Sequence, residues 1–337
     1  MASIQTGLLA YGMSGRVFHA PFLQASPHFA LRAVVERSRK TAADTYPGIV
    51  SYDTVAALLA HEALELVVIN TPNDTHFALA RQALLAGRHV LIEKPVATSV
   101  AELEELLALA QRQQRHLLAY QNRRWDSDFQ LVRQVVESGR LGQLVEVHFR
   151  FDRFKLALNP KQFKEDPAAP GSGLSFDLGP HVLDQALSLF GRPVRHRLTR
   201  AHHRPNSRVD DYFHAQLEYA QDLNVFVAGS LLTAAPGPAY VLHGTAGSFQ
   251  KTRADVQETQ LVAGLAPTAP AYGHEPPGTE GVLTLATEPG HFRTERLPAP
   301  VGNYAGLFEA AYQTIRHGQP FPVSPEQLRW QLAILAG

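Results

Sequence analysis

Between residues 4 and 122 short β-branched or aliphatic runs alternate with helical stretches, a rhythm that leaves little besides a parallel sheet covered by helices on both faces. The runs are Thr6 to Leu9, Leu31 to Val35, Leu66 to Asn70, His89 to Ile92 and Leu117 to Tyr120. Stop and start signals lie between them. Gly87 closes a helix over Ala78 to Ala86, and Ser99-Val100-Ala101-Glu102 is a capping box that opens the next. Glu102, Glu104 and Glu105 then fall early in that helix and Arg112 and Arg115 near its end, as the helix dipole favours.

After Asn122 the texture changes. A helix over Phe129 to Ser138, stopped by Gly139, leads into Leu144 to Asp152, where Val145, Val147, Phe149 and Phe151 alternate with Glu146, His148, Arg150 and Asp152. Strict period two predicts a strand with one wetter face. Further strands are expected at Phe213 to Tyr219, Asn224 to Ala228, Tyr240 to His243, Gly281 to Thr287 and Phe292 to Leu297, and a long surface loop at Gly264 to Gly281. Strands clustered in sequence predict a largely antiparallel sheet with helices on one side. The chain thus divides into a doubly wound parallel α/β domain over residues 1–122 and an α+β domain over residues 123–337, as its 337 residues exceed what one core usually supports.

Composition narrows the function classes. The 31 basic residues balance the 31 acidic ones, which removes the electrostatic footprint of a nucleic-acid or anionic-membrane binder. With no cysteine, disulfides, thiolate metal sites and Cys nucleophiles are excluded, and the expected compartment is the cytoplasm. No apolar run is long enough to span a membrane, and no His pair has the spacing of a metal site. The expected partner is a small molecule.

The turn Ala10-Tyr11-Gly12-Met13-Ser14-Gly15 follows a strand and precedes a helix, the context a dinucleotide fingerprint requires. Glycine lets backbone approach a pyrophosphate, and the helix start offers free amides. A tight turn with no ligand has the same local pattern. Glu36 ends the second strand, where an acidic residue would take the ribose hydroxyls of NAD, while Arg37 beside it would stack on adenine, pair with the 2′-phosphate of NADP or stay solvated. The two signals oppose each other, so NAD and NADP both stay open. Thr71, Pro72, Asn73 and His76 follow the strand ending at Asn70, and Glu93 and Lys94 follow the next, at the sheet edge where ligands of such sheets lie. Asn73 or Asp74 would equally serve as a helix cap.

In the second half, Asp177, His181 and Asp184 fall within roughly a 60° arc at helical spacing, with Leu178, Val182, Leu183, Ala186, Leu187 and Phe190 on the other side. A carboxylate, imidazole, carboxylate stripe results. It could be a solvated face with Asp177 as cap, although the permissive loop Gly171-Ser172-Gly173 before it suits the wall of a binding site. His148 and His214 lie on polar strand faces, where pairing with a neighbour is their commoner role.

Taken together, the turn from Ala10 to Pro21, Thr71 to His76, Glu93-Lys94-Pro95, Asn122-Arg123-Arg124-Trp125-Asp126 and Asp177 to Asp184 resemble the Gfo/Idh/MocA oxidoreductases, in particular their NADP-type scyllo-inositol dehydrogenase branch. The resemblance covers nearly the whole chain. It implies an N-terminal Rossmann domain, a C-terminal domain with a large open-faced sheet, and a homodimer or homotetramer. It implies an NAD(P)-dependent dehydrogenase or reductase of a sugar or inositol-like polyol. Lys94 then matches the lysine of the family's E-K-P motif, and Asp177 and His181 its D-x-x-x-H pair. His181 would be the base, Lys94 would stabilise alkoxide charge, and Asp177 would orient the imidazole or tune Lys94. Asn122, Arg123 and Trp125 would lie near substrate, with Gln121 standing where the resemblance implies a histidine. Two rivals share the fold: a non-catalytic NAD(P)-binding sensor and an NAD-dependent glycosidase.

Overall fold

The first strand, β1 (Ile4–Leu8), is buried along almost its whole length and lies between two parallel neighbours, so both of its faces must be apolar. In the computed structural model, which describes residues 2–160 and 164–337, it belongs to a unit comprising the chain up to Asn122 together with Gln257–Tyr272 and Asn303–Pro325. Five more strands complete its sheet: β2 (Phe29–Val35), β3 (Val50–Tyr52), β4 (Leu66–Ile69), β5 (His89–Glu93) and β6 (Leu117–Tyr120). Every pairing is parallel and the order is β3-β2-β1-β4-β5-β6. That is the Rossmann order, which reverses direction between β1 and β4 and leaves the strand ends there open to a ligand.

Local chemistry sets the helices of this unit. The helix Val100–Arg112 begins where the Ser99 hydroxyl accepts the Glu102 amide at 3.2 Å, and the Glu102 carboxylate accepts the Thr98 amide at 2.9 Å. The reciprocal bond of the capping box therefore goes to Thr98 rather than to Ser99. Two segments that sequence patterning leaves in the second half cluster here, and their side chains interlock. The Gln257 carboxamide oxygen accepts the Tyr272 hydroxyl at 2.9 Å and the Tyr304 amide at 2.8 Å, and Phe22 stacks on Phe308 at 5.3 Å.

The second unit comprises Arg123–Val256, Gly273–Gly302 and Glu326–Gly337. Its eight strands are β7 (Leu144–Asp152), β8 (Arg195–Ala201), β9 (Tyr212–Glu218), β10 (Asn224–Ser230), β11 (Tyr240–Gly244), β12 (Gly247–Lys251), β13 (Gly281–Glu288) and β14 (His291–Leu297). They run in the order β14-β13-β12-β11-β7-β10-β9-β8, and among the described residues only the β7 and β10 pairing is parallel. On β7 the alternation holds from Val147 on: Val147, Phe149 and Phe151 are buried while His148 and Arg150 are half-exposed, but Val145, expected on the apolar face, is exposed. One face packs on the helices Ser127–Glu137 and Gly179–Phe190 through Phe129, Val132, Val182 and Leu183. On the other face the Phe226 ring lies between His148 at 5.0 Å and His214 at 5.7 Å.

Three strands escape sequence patterning. β3 has three residues, too few for a period, and β12 begins at a glycine and ends at Lys251, whose buried ammonium meets Glu275 at 2.6 Å. β8 reads Arg-His-Arg-Leu-Thr-Arg-Ala because it is an edge strand with little buried surface, so no apolar alternation is written into it. The expected single helix through Asp177 to Phe190 is two helices, Leu174–Asp177 and Gly179–Phe190, joined at Leu178 just ahead of Pro180.

Candidate active site

In the first unit the glycine turn is shaped by close approach. A Cβ on Gly15 would lie 2.4 Å from the Ala10 carbonyl oxygen and 2.9 Å from Asn70 Nδ2, so no other residue fits there. Asn70 braces the turn from the end of β4: its Oδ1 accepts the Ala10 amide at 3.0 Å and its Nδ2 donates to the Ala10 carbonyl at 2.8 Å. Gly12 is the opposite case, with no atom within 4 Å of where a Cβ would stand, and Met13 beside it is exposed. A turn tight on its inner side and bare on its outer side fits a pyrophosphate lying against backbone. Tyr11 sets its ring edge to face against Tyr46 at 6.5 Å, and burial raises its hydroxyl pKa.

The end of β5 is tied to this turn. Glu93 Oε1 accepts the Ser14 hydroxyl at 2.7 Å and lies 2.9 Å from His19 Nε2. Burial alone would raise the Glu93 pKa, but the bonds from His19 and Ser14 and the nearby Lys94 ammonium outweigh it and hold the carboxyl below its usual range. Lys94 follows directly, half-buried, with a cis peptide bond to Pro95.

Other expected cofactor residues have different duties. His76 is fully buried, its Nδ1 facing the Pro95 carbonyl at 2.7 Å and its Nε2 the Thr71 carbonyl at 3.0 Å. Burial lowers its pKa against those two carbonyls, and a neutral ring donates to only one of them. His76 thus ties the loop after β4 to the loop that carries Lys94. Thr71 bonds Thr75 at 2.7 Å, Pro72 is exposed, and Asn73 opens the short turn Asn73–Thr75. Glu36, expected at the ribose, is 6% exposed, with its carboxylate accepting the Thr41 amide at 2.8 Å and the Ser51 hydroxyl at 2.5 Å. Arg37 is exposed.

In the second unit the helix bearing His181 is reached through Gly173, which at φ +85 adopts a backbone that disfavours side chains, and a Cβ there would meet Asp210 Oδ1 at 2.2 Å. That carboxylate accepts the Ser175 amide at 2.6 Å and so starts the helix Leu174–Asp177. Asp177, partly exposed, pairs with Lys164 at 3.0 Å. His181 is 8% exposed, one turn on.

Asp184 lies three residues after His181 on the same helix and is held by an arginine. It is buried and takes a two-pronged bond from Arg124, at 2.6 Å from Nε and 2.7 Å from Nη2. Arg123 lies over the Phe151 ring at 5.0 Å, donates to Asp126 at 3.3 Å, and its carbonyl accepts Gln185 at 3.0 Å. Burial, then the charge of Asp255, pushes the Asp126 carboxyl well up. Trp125 is half-buried and Asn122 buried. The partners of His19, Asn70, Arg124 and Asp184 were not legible at sequence level, since each bond joins residues distant along the chain.

Two family models meet this chain: one described as an oxidoreductase family with an NAD-binding Rossmann fold matches residues 4–121, and the GFO/IDH/MocA C-terminal domain matches residues 129–250. The chain belongs to the Gfo/Idh/MocA oxidoreductase family. As a member it is an NAD(P)-binding dehydrogenase or reductase. The oxidoreductase C115.03 of Schizosaccharomyces pombe is 36% identical over 97% of this chain and 94% of its own. The scyllo-inositol 2-dehydrogenase (NADP(+)) IolW of Bacillus subtilis is 30% identical over 96% of this chain and 90% of its own. Among solved structures, the oxidoreductase yvaA of Bacillus subtilis superposes with a TM-score of 0.95 at 29% identity, covering 100% of this chain and 95% of that one. Among the described residues no helix is long and apolar enough to cross a membrane, and no group of three or more His, Cys, Asp or Glu could hold a metal ion.

Proposed function

We propose that this Gfo/Idh/MocA enzyme moves a hydride between a nicotinamide dinucleotide and a secondary alcohol or ketone of a sugar or inositol-like polyol. The observation that carries the reading is the link from Ser14 through Glu93 to Lys94: one carboxylate fixes both the glycine turn and the strand end bearing the cation. The name of the Bacillus relative supports the polyol class. The dinucleotide is assigned to residues 1–122 and the polyol to residues 123–337, in a cytoplasmic homodimer or homotetramer.

A bound nicotinamide supplies the hydride acceptor in one direction and the donor in the other. The protein's residues handle the proton and the charge. In the oxidation direction the hydroxyl proton must leave as the carbonyl forms, and His181 is assigned to take it. Lys94, an ammonium, is assigned to stabilise alkoxide charge as it develops. Asp177 orients the imidazole or tunes Lys94. Asn122, Arg123 and Trp125 are assigned to the polyol, with Tyr11, Gly12, Met13, Ser14 and Gly15 against the dinucleotide and Thr71, Pro72, Asn73 and Glu93 at the strand ends around it.

The test is an absorbance screen for reduced nicotinamide with NAD and NADP against inositols, glucose, xylose and their oxidised forms. Net turnover with a member of that panel is the expected result. A protein that binds dinucleotide but turns over none of them refutes the polyol class, and aglycone release without net reduction refutes the dehydrogenase in favour of a glycosidase. Lys94→Ala should lower turnover by about 10²-fold or more while dinucleotide still binds, and near-normal turnover would remove Lys94 from the mechanism.

A further inference from the structure

We propose that the substrate of this enzyme carries an anionic group, a carboxylate or a phosphate, and that Arg153 and Lys155 hold it beside the helix bearing His181. The inference rests on the polyol reading above and narrows it.

Three guanidiniums gather on the ring of Phe151. Arg253 lies over it at 4.1 Å, and Arg123 and Arg153 each at 5.0 Å. Phe151 is buried on the inner face of β7 and shares its core with Leu178, Val182 and Leu183, the apolar residues on either side of His181 in sequence. That helix also reaches two of the arginines. Gln185, one turn after His181, donates to the Arg123 carbonyl at 3.0 Å, and its carboxamide oxygen accepts the Tyr240 hydroxyl at 3.3 Å. The Tyr240 oxygen in turn accepts the Arg253 guanidinium at 3.1 Å.

The cations differ in what answers them. Asp126 accepts from Arg123 at 3.3 Å and lies 3.9 Å from Arg253, whose charge Asp128 also favours. Those two charges are balanced within the unit. Arg153 and Lys155 are both exposed, and among the described residues neither makes a side-chain hydrogen bond or an ion pair. Other carboxylates on β7 and on the His181 stretch are taken: Asp152 by Arg150 at 2.8 Å, Asp177 by Lys164 at 3.0 Å and Asp184 by Arg124 at 2.6 Å.

Backbone geometry aims the two cations together. β7 ends at Asp152, yet extended pairing continues beyond it. The Arg153 amide donates to the Ser230 carbonyl at 2.8 Å, the Arg153 carbonyl accepts the Thr233 amide at 3.0 Å, and the Lys155 amide donates to the Leu231 carbonyl at 2.7 Å. Side chains two apart on extended chain share a side, so Phe151, Arg153 and Lys155 line up on the face that carries the His181 helix. A neutral polyol offers these cations only hydroxyl oxygens. A carboxylate or phosphate offers charge-assisted bonds about twice as strong, and a guanidinium takes either group with paired bonds.

Steady-state kinetics of the whole protein on matched pairs tests this: glucose against glucuronate and glucose 6-phosphate, xylose against xylonate, and myo-inositol against its monophosphates. The best charged member should exceed its neutral parent at least about tenfold in kcat/KM, chiefly through a lower KM, the scale of one charge-assisted hydrogen bond. A gain confined to carboxylates, or to phosphates, supports the proposal and names the anion. In Arg153→Ala with Lys155→Ala the ratio of charged to neutral kcat/KM should fall to within about threefold of one, and Arg153→Glu should lower it at least about tenfold. Both side chains are exposed, so the circular dichroism of these variants should match the parent. A neutral parent that equals or exceeds every charged derivative overturns the proposal and leaves the polyol reading standing. So does a ratio unmoved in both variants, or a double variant that loses charged and neutral substrates alike. No turnover of any compound in the panel overturns both readings together.

Discussion

The carboxylate of Glu93 accepts the hydroxyl of Ser14 at 2.7 Å, and this one bond joins the end of β5 to the turn after β1 across 79 residues of chain. Because Lys94 is the next residue, the position of its ammonium depends on that anchor. Glu93→Gln keeps the shape but removes the charge that His19 and Ser14 face, and should cost about 1–3 kcal/mol of stability. The folded pKa of Glu93 lies below its ordinary value of 4.5, so its stabilisation is full above that value and lost as pH falls through the folded one. Urea unfolding from neutral to acid pH should therefore show a flatter acid limb in the variant.

The two glycines of the turn should separate folding from binding. Gly15→Ala must displace the Ala10 carbonyl or the Asn70 amide and should destabilise the first unit measurably, with loss of dinucleotide binding. Gly12→Ala meets nothing within 4 Å, so its melting temperature should stay within about 1–2 °C of the parent while dinucleotide affinity falls. Paired calorimetry and thermal melts would check this, and equal melting losses would contradict it.

Arg124 and Asp184 are both buried and bonded at two points, so removing either charge strands the other. Asp184→Ala alone should cost about 3–5 kcal/mol, whereas the double change to Arg124→Met with Asp184→Leu should recover much of that loss. Chemical denaturation of the single and double variants gives the coupling directly, and simple additivity would refute it.

His89 is a second source of acid sensitivity. Burial first, then the neighbouring His116 and Arg115, pulls its pKa down to about 4. Its Nδ1 accepts the His116 amide at 3.0 Å, and the two rings stack at 5.2 Å. The neutral ring is the folded form, so stability is full above the ordinary value of 6.5 and declines as pH falls from there toward 4, by on the order of 1–2 kcal/mol after screening. His89→Gln should lose that slope between those values in pH-dependent thermal melts.

Much of this was legible in one dimension. Alternation on β7, the run at β5 and the cap at Ser99 depend on side chains a few positions apart, and periodicity reports them. β8 and β12 were hidden because edge exposure and a buried ion pair replace the apolar repeat. The Gln257–Tyr272 and Asn303–Pro325 segments carry no mark of the unit they join.

The motif residues show the division most clearly. Sequence alone determined that a glycine turn follows the first strand, that Glu36 follows the second and that Lys94 follows the run His89 to Ile92, since strand geometry makes spacing equal to position. Only the tertiary structure decided what those groups are free to do. Glu36 is consumed by a hydroxyl 15 residues away, Glu93 by one 79 away and Asp184 by a guanidinium 60 away. A charged side chain within hydrogen-bond reach of a buried donor is held by it, and which donor arrives is set by how the chain folds back on itself.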